Sequence, residues 1–304
     1  FQDPYLTVDG QVRATVEFSG LQTLWFNTGT LCNIECAGCY IDSSPRNDSL
    51  AFLSADEVSA YLDEITARDL GTKEIGFTGG EPFINPEIVV MLDDCLTRGF
   101  EALVLTNGMR PMRKLEEELL ALKALHGSRL TLRVSLDHYT ADRHEQLRGP
   151  RSWQPALSGL EWLSHHGFRA HVAGRTMWND TELALREGYA RLFKKHGIAV
   201  DAENPAALVL FPEMDRERPV PEVTSACWTT LDVEPDSVMC ASSRMVVKPN
   251  GAAQPTVQAC TLLPHDERFS MGPTLSDADR PIALNHTYCA EFCVLGGGTC
   301  SVNT

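Results

Sequence analysis

Between residues 21 and 210 the chain alternates short β-rich runs with longer helical ones. This alternation restricts the fold more than any other feature, because strands separated by helices pair in parallel and carry their crossovers on the faces of the sheet. Strands are expected at 21–27, 73–77, 101–106, 130–136, 168–174 and within 198–211, and helices at about 54–69, 86–98, 113–126, 152–166 and 181–196. Ser54 and Glu57 have the spacing of a capping box, and Gly99, Gly127, Gly167 and Gly197 each stand where a glycine can close the last turn of the preceding helix. Some six βα units are too few for a closed eight-unit barrel, so the expected fold is α/β, a partial (β/α)6 barrel or an open sheet.

Near residue 211 the composition turns Pro-rich and acidic, which reads as a linker. Beyond it, two β-rich runs flank Asn250-Gly251, the signature of a hairpin, with Cys240 before its first strand and Cys260 after its second. The expected organisation is an N-terminal lead over 1–20, the barrel over 21–211, and a linker with a small cysteine-rich unit over 212–304.

The chain carries 26 Lys and Arg against 41 Asp and Glu, a formal net charge of −15. Such a balance repels phosphate backbones and anionic lipid, so neither nucleic acid nor a membrane surface is an expected partner. No apolar run reaches the roughly 20 residues of a membrane span, and no secretory signal opens the sequence, so the expectation is a cytoplasmic protein. Ten cysteines then need an explanation other than disulfides, and metal ligation leads. They fall in two regions: Cys32, Cys36 and Cys39 together, then Cys227, Cys240, Cys260, Cys289, Cys293 and Cys300. Cys95 is different, since it shares one helical face with Ile88, Leu92 and Leu96 and reads as a core residue.

Three thiolates on one loop immediately after the first strand would leave one metal position open, which suggests chemistry; a structural zinc site is the competing reading. The spacing Cys32-x3-Cys36-x2-Cys39 followed by Tyr40 resembles the cluster loop of the radical S-adenosylmethionine (SAM) enzymes. In that family the three thiolates hold a [4Fe–4S] cluster whose fourth iron is chelated by SAM. Gly79-Gly80-Glu81-Pro82, at the end of the second strand, resembles the family motif that contacts the SAM amino group. On its own it is a turn, whose glycines admit a close ligand and whose Glu81 accepts hydrogen bonds from an ammonium. Ser135-Leu136-Asp137 and the stretch to Arg148-Gly149 resemble the segment that reaches the SAM ribose in members with extra clusters. Asn107 ends the preceding strand, and Arg175, just past the fifth, is a candidate carboxylate partner.

The tail resembles, less closely, the auxiliary-cluster extensions called twitch and SPASM. Six thiols suffice for one auxiliary [4Fe–4S] cluster, for which Cys240, Cys260, Cys289 and Cys293 are the expected ligands, with Cys300 or Cys227 as substitutes and structural zinc as the alternative. The resemblance implies reductive cleavage of SAM to a 5′-deoxyadenosyl radical that abstracts hydrogen from substrate, with a flavodoxin- or ferredoxin-type electron donor. The short lead leaves no room for a separate peptide-binding domain, so net oxidation of a small molecule is the first expectation. Maturation of a ribosomal peptide or protein is the second, redox-neutral epimerisation with a cysteine hydrogen donor the third, and a non-catalytic metal-binding scaffold the fourth.

Overall fold

The computed structural model describes residues 1–214 and 219–298. A short strand, β1 (Thr15–Val16), precedes β2 (Thr23–Asn27), after which strands and helices alternate as expected: α1 (Ala55–Arg68), β3 (Glu74–Thr78), α2 (Ile88–Thr97), β4 (Glu101–Thr106), the single turn α3 (Arg110–Arg113), α4 (Glu116–His126), β5 (Leu130–Ser135), α5 (Ala141–Arg148), α6 (Trp153–His165), β6 (Arg169–Arg175), α7 (Glu182–His196) and β7 (Leu208–Phe211). Then come α8 (Cys227–Leu231), β8 (Ser243–Val247), β9 (Thr256–Gln258), β10 (Ser270–Gly272), β11 (Ile282–Ala283) and a wide helical turn, Cys289–Val294. No helix among the described residues is long and apolar enough to cross a membrane.

Local chemistry accounts for the boundaries. The Ser54 hydroxyl accepts the Glu57 N–H while the Glu57 carboxylate accepts the Ser54 N–H, the capping box foreseen. Helix α1 then buries Val58, Tyr61, Leu62 and Ile65, one stripe at helical spacing, and stops at Asp69 in the left-handed conformation. Gly197 closes α7 in the same way.

Strands β8, β2, β3, β4, β5, β6 and β7 lie side by side in parallel, and β9 and β10 continue the sheet antiparallel beyond β8. Strands β2 to β5 are buried along most of their length, as a sheet covered on both faces requires. On a flat sheet β2 and β7 would stand about 24 Å apart. Residues following β2 and Phe211 at the end of β7 nevertheless line one cavity, so the sheet curls into a partial barrel.

The hairpin built on Asn250-Gly251 is present, with Gly251 at φ +80°, but it does not stand apart from the barrel. Its first strand, β8, pairs in parallel with β2 from Thr23↔Ser243 to Phe26↔Val246. The lead is also tied in: β1 pairs with β11, and the buried Arg13 donates to the carbonyls of Asp3, Leu6 and Leu284 and to Glu222.

Candidate active site

The cysteine loop leaves β2 after Asn27, and backbone bonds hold its base. Gly80 donates its N–H to Gly29 O (2.8 Å), Glu81 to Leu31 O (3.1 Å), and Cys32 to Ser44 O (3.1 Å). The Gly79-Gly80 turn therefore packs directly on the loop that carries the thiols. A Cβ on Gly80 would stand 2.2 Å from Leu31 O, and one on Gly79, at φ +140°, 2.6 Å from Gly29 O. Close approach of two backbones, not only of a ligand, demands glycine here.

A cavity of about 520 Å3 opens at the C-terminal ends of the strands, where ligands of parallel α/β folds bind. It brings together Cys32, Cys36, Cys39, Tyr40, Gly79, Gly80, Asn107, Ser135, Asp137 and Arg175, drawn from five successive strand ends. Glu81 is the exception among the residues singled out. Its carboxylate is buried away from the cavity and accepts hydrogen bonds from the Thr106 hydroxyl (2.7 Å) and the Asn107 N–H (2.8 Å). Burial pushes it up to about 7 in spite of those bonds. In this geometry it clamps the end of β4 to the glycine turn rather than presenting an acceptor to a ligand.

Asn107 is likewise committed: its Nδ2 donates to Asn33 Oδ1 (2.9 Å) and approaches Cys32 Sγ (3.9 Å), while its Oδ1 accepts the Met109 N–H. Asp137 faces the cavity with both oxygens engaged, by Arg148 (2.5 and 3.4 Å) and, at 3.7 Å, by Arg175. Burial opposes that charge, yet Arg148 and then Arg175 hold the carboxyl below its ordinary value. Below it His144, fully buried, is kept neutral by desolvation, down to about 4, and accepts the Asp137 N–H on Nδ1. Ser135 lines the cavity at the end of β5.

Arg148, which the sequence marked only as the end of the ribose-segment resemblance and gave no role, is the main addition. It ends α5, with Nη1 4.0 Å from Cys36 Sγ, and the adjacent Leu147 carbonyl accepts the Ala37 N–H (2.7 Å). Arg133, inside the barrel on β5, also lines the cavity.

A second, tight cavity of about 20 Å3 gathers Cys240, Cys260, Cys289 and Cys293 within walls of Val238, Met239, Leu263, Phe269, Ile282 and Leu284. Leu262 and Tyr288 line both cavities. Cys227 lies outside both, at the start of α8 beside Thr224, and Cys95 is a fully buried core residue of α2. Cys300 lies outside the described residues.

Both donor sets fit iron–sulfur chemistry. Burial raises the Cys32 and Cys289 thiols to about 12 and Cys240 to about 11, so a thiolate at these positions requires a cation beside it. Among the described residues no three His, Cys, Asp or Glu side chains converge closely enough to hold a single metal ion. A cluster takes one thiolate at each of several irons and does not need that convergence.

The sequence profile of the radical SAM superfamily matches residues 26–183. Among curated proteins, the antilisterial bacteriocin subtilosin biosynthesis protein AlbA of Bacillus subtilis (strain 168) is 32% identical over 160 residues, covering 51% of this chain and 34% of AlbA. The mycofactocin maturase MftC of Mycobacterium tuberculosis is 26% identical over 166 residues, covering 55% of this chain and 40% of MftC. The matches thus span less than half the length of either relative. Among solved structures, Streptococcus suis SuiB bound to S-adenosylmethionine superposes with a TM-score of 0.60 at 12% identity, covering 84% of this chain and 63% of SuiB, a likeness of fold.

Proposed function

From the premise that the chain belongs to the radical SAM superfamily, enzymes that use a [4Fe–4S] cluster and S-adenosylmethionine, we propose that it modifies a ribosomally made peptide or protein. Cys32, Cys36 and Cys39 would hold the cluster, and SAM would occupy the neighbouring part of the cavity against Gly79, Gly80, Tyr40 and Ser135. When bound, that pair supplies a one-electron cleavage of the sulfonium and a carbon radical able to take hydrogen from an unactivated C–H bond. The chain's own residues orient: the glycine turn fixes the thiol loop, and Glu81 and Asn107 hold the end of β4.

The observation that carries the radical reading is the single cavity shared by the three thiols, the glycine turn and the ends of β4, β5 and β6. The peptide reading rests on the similarity to AlbA and MftC, and it displaces the expectation of a small metabolite from first place. The cavity volume, within the range of small-ligand clefts, favours that metabolite as a second reading.

We further assign residues 212–304 to an auxiliary unit in which Cys240, Cys260, Cys289 and Cys293 hold a second [4Fe–4S] cluster, and residues 21–211 to the barrel. The nearness of the two cavities supports a net oxidation, in which the second cluster would supply an electron acceptor while the substrate loses one hydrogen atom to the radical and one proton to solvent. Anaerobically reconstituted protein, assayed for SAM cleavage with dithionite and then with peptides encoded beside its gene or with a metabolite extract, tests the proposal. A mass loss of about 2 Da in a peptide is the expected result. A changed metabolite with untouched peptides would favour the second reading, and no SAM cleavage under any condition would overturn both.

A further inference from the structure

Helix α5 is short, has a single fully buried side chain, His144, and contributes little to the core. Its C-terminal end nevertheless meets the thiol loop twice. The Leu147 carbonyl accepts the Ala37 N–H at 2.7 Å, and the next residue, Arg148, aims Nη1 at Cys36 Sγ from 4.0 Å. Gly149, at φ +89°, ends the helix there. The guanidinium is not free to swing. Asp137 takes Nε at 2.5 Å and Nη2 at 3.4 Å, a two-point grip on one edge that leaves Nη1 for the sulfur. Asp137 is itself fixed through its backbone, its N–H on His144 Nδ1 (3.3 Å) and its carbonyl accepting the Arg175 N–H (2.9 Å).

We propose that Arg148, gripped by Asp137, is a positioning residue that fixes a positive charge at Cys36 and so raises the reduction potential of the cluster held by the thiol loop. It rests on the reading of Cys32, Cys36 and Cys39 as the ligands. Reduction adds negative charge to the cluster, and a fixed cation beside one thiolate stabilises the reduced form more than the oxidised one. Asp137 acts with the opposite sign from farther away, so the pair presents a dipole whose positive end meets the sulfur. Lysine would preserve the sign of the charge, glutamine only some of the shape.

The experiment is a redox titration of anaerobically reconstituted full chain, following by electron paramagnetic resonance the signal that changes when SAM is added. Wild type is compared with Arg148→Gln, Arg148→Lys and Asp137→Asn, with iron and sulfide measured in each. Arg148→Gln is expected to lower the reduced-to-oxidised ratio about tenfold at a fixed poise, about 59 mV for a one-electron couple. Arg148→Lys retains most of the wild-type value, and Asp137→Asn moves the midpoint upward. An unchanged midpoint in Arg148→Gln, or equal falls in the Gln and Lys variants, would overturn the proposal, since only charge reverses sign between the Arg and Asp changes. If Arg148→Gln loses its iron, the Asp137→Asn, Arg148→Gln double variant is compared with Asp137→Asn alone: a lower midpoint in the double variant supports the proposal, and an equal midpoint refutes it. If wild type lacks a SAM-responsive signal, or retains it in the Cys32→Ala, Cys36→Ala, Cys39→Ala variant, the ligand reading itself has failed and this proposal with it.

Discussion

The two cysteine regions share a wall at Leu262 and Tyr288 but are built on opposite plans. The first sets three thiols on one loop at the edge of a cavity of about 520 Å3 rimmed by Asn107, Ser135, Asp137 and arginines. The second gathers four thiols from three points of the C-terminal chain, two of them on the turn Cys289–Val294, around about 20 Å3 of apolar space. Three donors beside a cavity large enough for a ligand would leave a metal position to be filled from it, whereas four donors in a dry pocket would complete their own coordination. On the reading proposed above, the same residue type would serve exchange with a ligand in one place and a fully ligated cluster in the other.

The largest expected effect tests that division. The Cys32→Ala, Cys36→Ala, Cys39→Ala variant should cleave SAM only at the background rate, while Cys289→Ala with Cys293→Ala should lose about four irons per chain and product formation but retain SAM cleavage. Iron analysis beside an assay for 5′-deoxyadenosine checks both. Loss of SAM cleavage from both variants alike would erase the distinction between the open and the closed site.

The first region also depends on a close backbone contact between two separate chain segments. Gly80→Ala forces a Cβ to 2.2 Å from Leu31 O, a clash with backbone that no rotamer relieves. The expected cost is about 3 kcal/mol, at the upper end for overpacking. Thermal melting should show a fall of several degrees and SAM cleavage should drop with it. A melting temperature near wild type would mean that the glycine turn and thiol loop separate easily.

Glu81 gives a pH signature. Its carboxyl ionises near 4.5 when unfolded and is raised to about 7 by burial in the fold, so the fold favours the neutral form. The penalty is absent below pH 4.5, grows as pH rises, and is complete above about 7. In iron-free protein, Glu81→Gln should therefore gain stability relative to wild type across that window, on the order of 3 kcal/mol. Melting curves at pH 5 and 8 measure it, and a gap that stays constant or narrows with pH would show that the clamp on Thr106 and Asn107 is not the group that titrates.

Much of this architecture was legible beforehand, for identifiable reasons. The expected strands fall within a few residues of β2 to β7 because those strands are short β-rich runs set between helices with clear stops. Helix α5, Ala-Asp-Arg-His-Glu-Gln-Leu-Arg, was missed because it has no apolar stripe, although Arg148 stands on it. The hairpin was expected, but its place in the barrel sheet was not; the uninterrupted burial of Ser243 to Val247 marks a strand covered on both faces, and Met245-Val246-Val247 was the signal. Economy of count suggested one auxiliary cluster and the resemblance suggested Cys240, Cys260, Cys289 and Cys293 as its ligands; the fold gathers those four in one pocket. Glu81 is the one cofactor-contact candidate that does not line the cavity, because a motif names a residue type without saying which way its side chain turns.

The smallest expected effect sharpens the closed site. Cys227 is half-buried at the start of α8, where its Sγ accepts the Thr224 N–H at 3.4 Å and touches the Thr224 hydroxyl at 3.5 Å. A serine hydroxyl can make both contacts, so Cys227→Ser should change stability by less than about 0.5 kcal/mol. Iron content should match wild type, because the thiol lies outside the pocket of the other four. Product should match as well, because Cys227 does not reach the large cavity and cannot return a hydrogen atom to a substrate there. A fall in iron would make Cys227 a ligand and open the four-thiol set. A loss of product with iron intact would instead revive epimerisation, with this sulfur as the hydrogen donor.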